Sequence, residues 1–308
     1  MPHYATLPRK LLVVRVIFPN RKPAMSIRRR LLRSRALRRA EVIGICRFSY
    51  PALGGFQRVH DSIEDRSAFL YADARLDERF RLFEAFTLPS LRAQTDQDFK
   101  FLIVIGENFP ADRLAQLRAL TDDIPQVVIQ AHPPKRHRTV MAEAINSIRQ
   151  KHRYSLQFRL DDDDAVGVGF VAALRRSLRQ CHGVFPENHL MAIDFVNGYN
   201  ARAGLTGIEA EASQRLFVSA GLAIAFRPGS HLTVMNFGHH EVWRHMPVLT
   251  RLDADMWIRG ANDHNDSGED IARHVVPLAP EEEAKFRQAF GVSADAVRAI
   301  WRGGPGSG

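Results

Sequence analysis

Between residues 41 and 180, short apolar runs alternate with segments of helical period. This alternation restricts the available folds more than any other feature of the chain. Glu41–Arg47 (EVIGICR), Lys100–Ile105 (KFLIVI), Gln126–Gln130 (QVVIQ) and Ser155–Leu160 (SLQFRL) read as strands. Between them, Leu76–Gln94 is helical by period with a break expected near Pro89. Ala111–Leu120 is a helix closed by the turn Asp122-Asp123-Ile124-Pro125. Thr139–His152 places Val140, Met141, Ala144, Ile145 and Ile148 on one helical face, and Phe170, Val171, Leu174 and Leu178 mark a further amphipathic helix. Strands and helices at these intervals predict an α/β fold, a mostly parallel sheet flanked by helices on both faces.

The pattern changes after residue 183. Leu190–Val196 and Leu216–Phe226 read as strands among turns rich in Gly, Asn and His, and helical period returns at Glu281–Phe290 and Ala294–Trp301. The expected organisation is a basic leader over residues 1–40, a single domain over 41–302 with a loop-rich C-terminal half, and a flexible tail over 303–308.

Charge locates the leader. The formal net charge of the 308 residues is +9, yet residues 1–40 hold twelve Lys/Arg and no Asp/Glu. The remaining residues hold 31 Lys/Arg against 34 acids, so the body is slightly acidic and a nucleic-acid-binding core is not expected. The longest apolar stretch of the leader, Leu11–Phe18, is interrupted by Arg15 and is too short to span a bilayer. The segment from Met25, itself an alternative start, could form a short basic helix. Two readings follow: peripheral contact with an anionic membrane, or a solvated arm. Two cysteines, Cys46 and Cys181, fit a reducing, cytoplasmic setting and argue against a thiolate zinc site.

The run Asp161-Asp162-Asp163-Asp164 directly follows the strand SLQFRL. If the chain stays extended, Asp161 and Asp163 continue the polar face of Gln157 and Arg159, at the carboxyl edge where open α/β sheets bind ligands. Two carboxylates in one crevice repel, and a hard divalent cation relieves that repulsion; all-oxygen ligands favour Mg²⁺ or Mn²⁺. The competing reading is an acidic turn that caps the helix beginning at Gly169.

The strand ending in Asp-x-Asp resembles the nucleotide-sugar site of GT-A glycosyltransferases. The stretch Arg159-Leu160-Asp161-Asp162-Asp163-Asp164-Ala165-Val166 is similar to a bacterial family of rhamnosyltransferases. So are Phe83–Leu91 with Gln94–Phe99, and Asn262-Asp263-His264-Asn265-Asp266-Ser267. The resemblance spans about residues 42–270. It implies a GT-A-like fold and a metal-dependent enzyme that moves a sugar from a nucleoside-diphosphate sugar to a saccharide or other hydroxyl acceptor. The family name implies rhamnose as the sugar. It also implies that Asp161 contacts ribose or metal and that Asp163 holds the metal. Arg47 and Ser49 would lie near the nucleotide, with Lys135, Arg136 and Arg138 facing the phosphates and His264 completing the metal site. Glu241, Asp194 and Asp263 are candidates for the base that deprotonates the acceptor; a retaining enzyme needs none in that role.

Neither a Walker phosphate loop nor a Gly-x-Ser-x-Gly elbow occurs, and His239-His240-Glu241 lacks the zincin spacing. Trp243, Trp257 and Tyr199 could stack on sugars or pack in the core. A metal-dependent nucleotidyltransferase could use the same carboxylates, and an inactive, membrane-recruited binding module is the alternative of another class.

Overall fold

The computed structural model describes residues 35–54, 61–262 and 274–303. Among these residues ten strands form one sheet: β1 (Glu41–Arg47), β2 (Lys100–Gly106), β3 (Val127–His132), β4 (Ser155–Arg159), β5 (Ala165–Val166), β6 (Leu190–Gly204), β7 (Gly207–Gln214), β8 (Leu222–Phe226), β9 (Val248–Gly260) and β10 (Val276–Pro277). The helices are α1 (Ile63–Leu70), α2 (Asp73–Leu82), α3 (Leu88–Arg92), α4 (Ala111–Thr121), α5 (His137–Ile148), α6 (Phe170–Gln180), α7 (Phe185–Asn188), α8 (Pro280–Phe290) and α9 (Ala294–Arg302).

The strand order is β10-β7-β6-β8-β4-β1-β2-β3, with β9 pairing β5 and β6. Pairing is parallel through β4-β1-β2-β3, the part built from the predicted strand–helix alternation. It turns antiparallel at β8 and stays so through β6, β7 and β10. The sheet, parallel in its first part and flanked by helices, is the α/β arrangement that the strand–helix alternation predicts.

Alternating side chains supply two cores, because successive residues of a strand face opposite sides. Val42, Cys46, Phe101, Ile103, Leu156 and Phe158 pack with Leu76, Phe83 and Leu174 of the helices on one face. Ile43, Ile45, Leu102 and Val104 pack with Val140, Met141, Ala144 and Ile145 of α5 on the other. β4 is therefore covered on both sides, and even Gln157 is fully buried, its amide bonded to Ser155 Oγ and to Val234 N.

Several boundaries differ from the sequence reading. Pro89 does not break the helix: α2 runs through a π-helical turn, Phe83–Thr87, into α3, where Pro89 sits in the first turn and needs no donor. The expected strand Leu216–Phe226 begins only at Leu222, because Phe217 has φ +60° and Ser219–Gly221 is a 3₁₀ turn. The C-terminal half is less loop-rich than expected, since β6 reaches Gly204 and both β7 and β9 are added.

Candidate functional site

The extended path of β4 ends at Arg159, although Leu160 N still donates to Ile45 O (3.1 Å). The acidic run then closes as a tight turn, with Asp164 N donating to Asp161 O at 3.1 Å. The expectation that Asp161 and Asp163 continue a strand face is corrected here, because the turn and not the pleat sets their directions. Thr87 Oγ1 holds the turn from the π-helical segment, donating to Asp164 O (2.7 Å) and Asp161 O (3.4 Å). The capping alternative is also absent: β5 intervenes, and Gly169 leads α6 with no side-chain cap.

The four carboxylates have different surroundings. Asp161 is exposed and makes no hydrogen bond from its side chain among the described residues. Asp162 is buried and held by the Arg79 guanidinium, Nε to Oδ2 at 2.9 Å and Nη2 to Oδ1. Asp163 accepts through Oδ2 from Asn262 Nδ2 (2.6 Å) and Arg79 Nη1 (3.3 Å). Asp164 accepts from Gly260 N (3.0 Å). Burial, with Asp163 and Asp161 beside it, pushes the Asp164 carboxyl well above the usual range, against the Gly260 N–H and Arg259. Burial alone would lower Arg79, but Asp163 and Asp161 hold its guanidinium above the ordinary value.

Cations surround this turn. Arg47 ends β1, and Ser49 follows with φ +46°, an unusual backbone for a residue with a side chain; its hydroxyl accepts from Arg75 Nη1 (3.3 Å). The loop after β1 is zipped to the loop after β3. Tyr50 OH donates to Pro133 O (2.6 Å) and accepts from Lys135 N (2.9 Å), and Leu53 N donates to Lys135 O (2.8 Å). This brings the predicted residues Lys135, Arg136 and Arg138 to the edge where β1 and β4 end. Lys135 is paired at the surface with Glu143 (2.7 Å), whereas Arg136 and Arg138 are exposed. Burial and the charges of Arg47, Arg159 and Arg138 depress His137 to about 3, which places these groups in one electrostatic neighbourhood. Burial lowers Arg159 to about 10, with Asp161 opposing.

Glu241 lies in the 3₁₀ turn His239–Arg244, exposed and bonded to Arg244 (3.0 Å) and not to the acidic turn. Asp263 and His264 fall outside the described residues. Trp257 is buried, Tyr199 packs on Phe286 and Phe290, and Trp243 is exposed. Sequence reasoning missed Arg79, and it placed Asn262 in the family-like run without giving it a role. Arg79 is one of three arginines in DARLDERFRL and has no local signal that sets it apart.

Among the described residues no three His, Cys, Asp or Glu side chains gather to hold a metal ion. Asp161, with no side-chain hydrogen bond, and Asp163, bonded through Oδ2, are oxygen donors of the type that a hard cation takes together with phosphate and water. Also among the described residues, no helix is long and apolar enough to cross a membrane.

The open α/β sheet thus carries an acidic turn and an arginine cluster at the carboxyl edge of its parallel strands, the edge at which sheets of this class bind ligands. The chain belongs to the family described as "Putative rhamnosyl transferase", which matches residues 41–274. Comparison with curated proteins finds no match. Among solved structures it is similar to S. aureus TarS, with TM-score 0.40 and 9% identity over 72% of this chain and 36% of that one. It thus spans about a third of that TarS chain. Residues 1–349 of TarS, in complex with UDP-GlcNAc, give TM-score 0.37 and 10% identity over 85% of this chain and 71% of that one.

Proposed function

We propose that this chain transfers a glycosyl group, rhamnose by the sense of its family, from a nucleoside-diphosphate sugar to a hydroxyl acceptor. The observation that supports this reading is the acidic turn 161–164 set among Arg47, Arg138 and Arg159 where β1 and β4 end. Asp161 and Asp163 would hold Mg²⁺ or Mn²⁺, with His264 as a further ligand. Such an ion, when bound, neutralises charge that builds on a departing diphosphate. The chain's own cations serve the same end, since guanidinium groups bind phosphate oxygens in a fixed planar geometry. Arg79 keeps the Asp163 carboxylate in one orientation, and Asp162 serves as its counter-ion.

The test is a thermal-shift screen of dTDP-rhamnose and UDP-GlcNAc with and without Mn²⁺, because a ligand that binds only the folded chain raises its melting temperature. The wild-type protein should respond to a donor only with the metal, and Asp163→Asn should lose that response while melting normally alone. Release of a nucleoside diphosphate marks glycosyl transfer; release of pyrophosphate would mark nucleotidyl transfer and overturn the reading.

A further inference from the structure

Phe217, between β7 and the turn Ser219–Gly221, is held at φ +60°, a left-handed conformation that an aromatic residue adopts rarely. Both of its backbone polar groups are engaged. Its N–H donates to Asp194 Oδ1 at 3.0 Å, and its carbonyl accepts from His239 Nδ1 at 2.7 Å. Asp194, on β6, is fully buried, and its Oδ2 has no hydrogen-bond partner. A carbonyl only accepts, so Nδ1 must carry the proton and Nε2 the lone pair. His239 is half-buried, and Nε2 makes no hydrogen bond among the described residues. Arg159 Nη2 donates to Phe237 O (3.1 Å), which ties the start of this turn to the end of β4, two residues before Asp161.

We infer that His239 is the base that takes the proton of the acceptor hydroxyl, and that Asp194 is a positioning residue acting on it through the Phe217 peptide. The inference rests on the glycosyl-transfer reading above. In the step, the acceptor O–H bond breaks and its proton moves to Nε2. The oxygen's electron pair forms the bond to the anomeric carbon from the side opposite the leaving group. The bond from that carbon to the phosphate oxygen breaks, and its pair leaves on the nucleoside diphosphate.

Glu241, two residues further along the same turn, is tied to Arg244 at the surface and is the weaker candidate. The charged groups facing His239 are Arg159 from β4, Arg259 from β9 and the neighbouring His240, with Asp194 behind the Phe217 peptide. Burial depresses the imidazole to about 4; the Phe217 bond opposes this, and Arg159, His240 and Arg259 add to it. A donor diphosphate beside Arg159 and Arg259 offsets their field, so proton affinity rises when the donor is in place.

Nitrogen-resolved NMR of histidine-labelled protein should find the His239 ring protonated on Nδ1 and neutral at pH 6, with its midpoint moving up on addition of UDP or dTDP. Turnover is read as nucleoside diphosphate released from dTDP-rhamnose or UDP-GlcNAc onto p-nitrophenyl glycosides. His239→Gln should lower kcat about 100-fold while the donor KM stays within about threefold. Asp194→Asn should lower kcat about tenfold and move the acid limb of its pH profile, which a merely structural residue would leave in place. Retained turnover in His239→Gln, or an Nε2-protonated ring in the wild type, overturns the assignment of the base alone. No release from either donor by the wild type sinks the glycosyl-transfer reading, and the base with it.

Discussion

At the residue scale, Asp194 links stability to function. Burial raises its carboxyl to about 7, against the Phe217 N–H. The folded state therefore keeps a proton that the unfolded chain releases near pH 4, and stability falls as pH rises from about 4 to about 7. The full loss is about 4 kcal/mol at the usual conversion per pKa unit. Asp194→Asn should melt higher than wild type at pH 8, and the gap should close toward pH 4.5; a gap of constant size would contradict the buried-carboxyl assignment. Arg79 gives the opposite case. Arg79→Met leaves Asp162 buried without its partner, at a cost of about 3–5 kcal/mol. Adding Asp162→Leu should recover much of that loss in urea titrations. The sequence made the acidic run legible because four carboxylates cannot follow a buried strand without a reason. It could not reveal Arg79, whose partner lies 83 residues away and whose helix mixes three arginines with three acids.

At the level of elements, β1, β2 and β4 were legible because both faces of each are covered, which leaves a compact hydrophobic run, and the half-buried β3 was legible from Val127, Val128 and Ile129. β7 was not, since its inward side chains include small alanines, Ala210 among them, that give little periodic contrast. β9 was hidden by its polar first half and by the register shifts where it pairs β6 near Asn197. It matters nonetheless, because Gly260 at its end passes against the acidic turn. A Cβ there would lie 2.1 Å from Asp163 O, closer than any packing allows. Gly260 is therefore a point of close backbone approach. Gly260→Ala should cost about 1–3 kcal/mol and weaken metal-dependent donor binding. Gly204→Ala, where a Cβ meets nothing within 4 Å, is the matched control. Equal stabilities for the two variants would show that the turn moves freely.

On the scale of the whole molecule, charge divides the chain more sharply than fold does, with twelve cations and no acid in residues 1–40. Deleting residues 1–34 should leave nucleotide binding unchanged and weaken cosedimentation with phosphatidylserine vesicles at low ionic strength. The assay needs low salt because screening acts over ~10 Å at 0.1 M. Vesicle binding that survives the deletion would remove the leader from the account. The acidic turn has a different dependence on the chain. Its stabilising partners come from Arg79 on one side and from Gly260 and Asn262 on the other, the last 99 residues beyond Asp163. A ribosome that has exposed β1 to β4 has therefore not yet made the partners that hold this turn. A chain that stops before residue 260 lacks both the Gly260 N–H and the Asn262 amide, so Asp163 and Asp164 lose the partners that the last long strand brings to them.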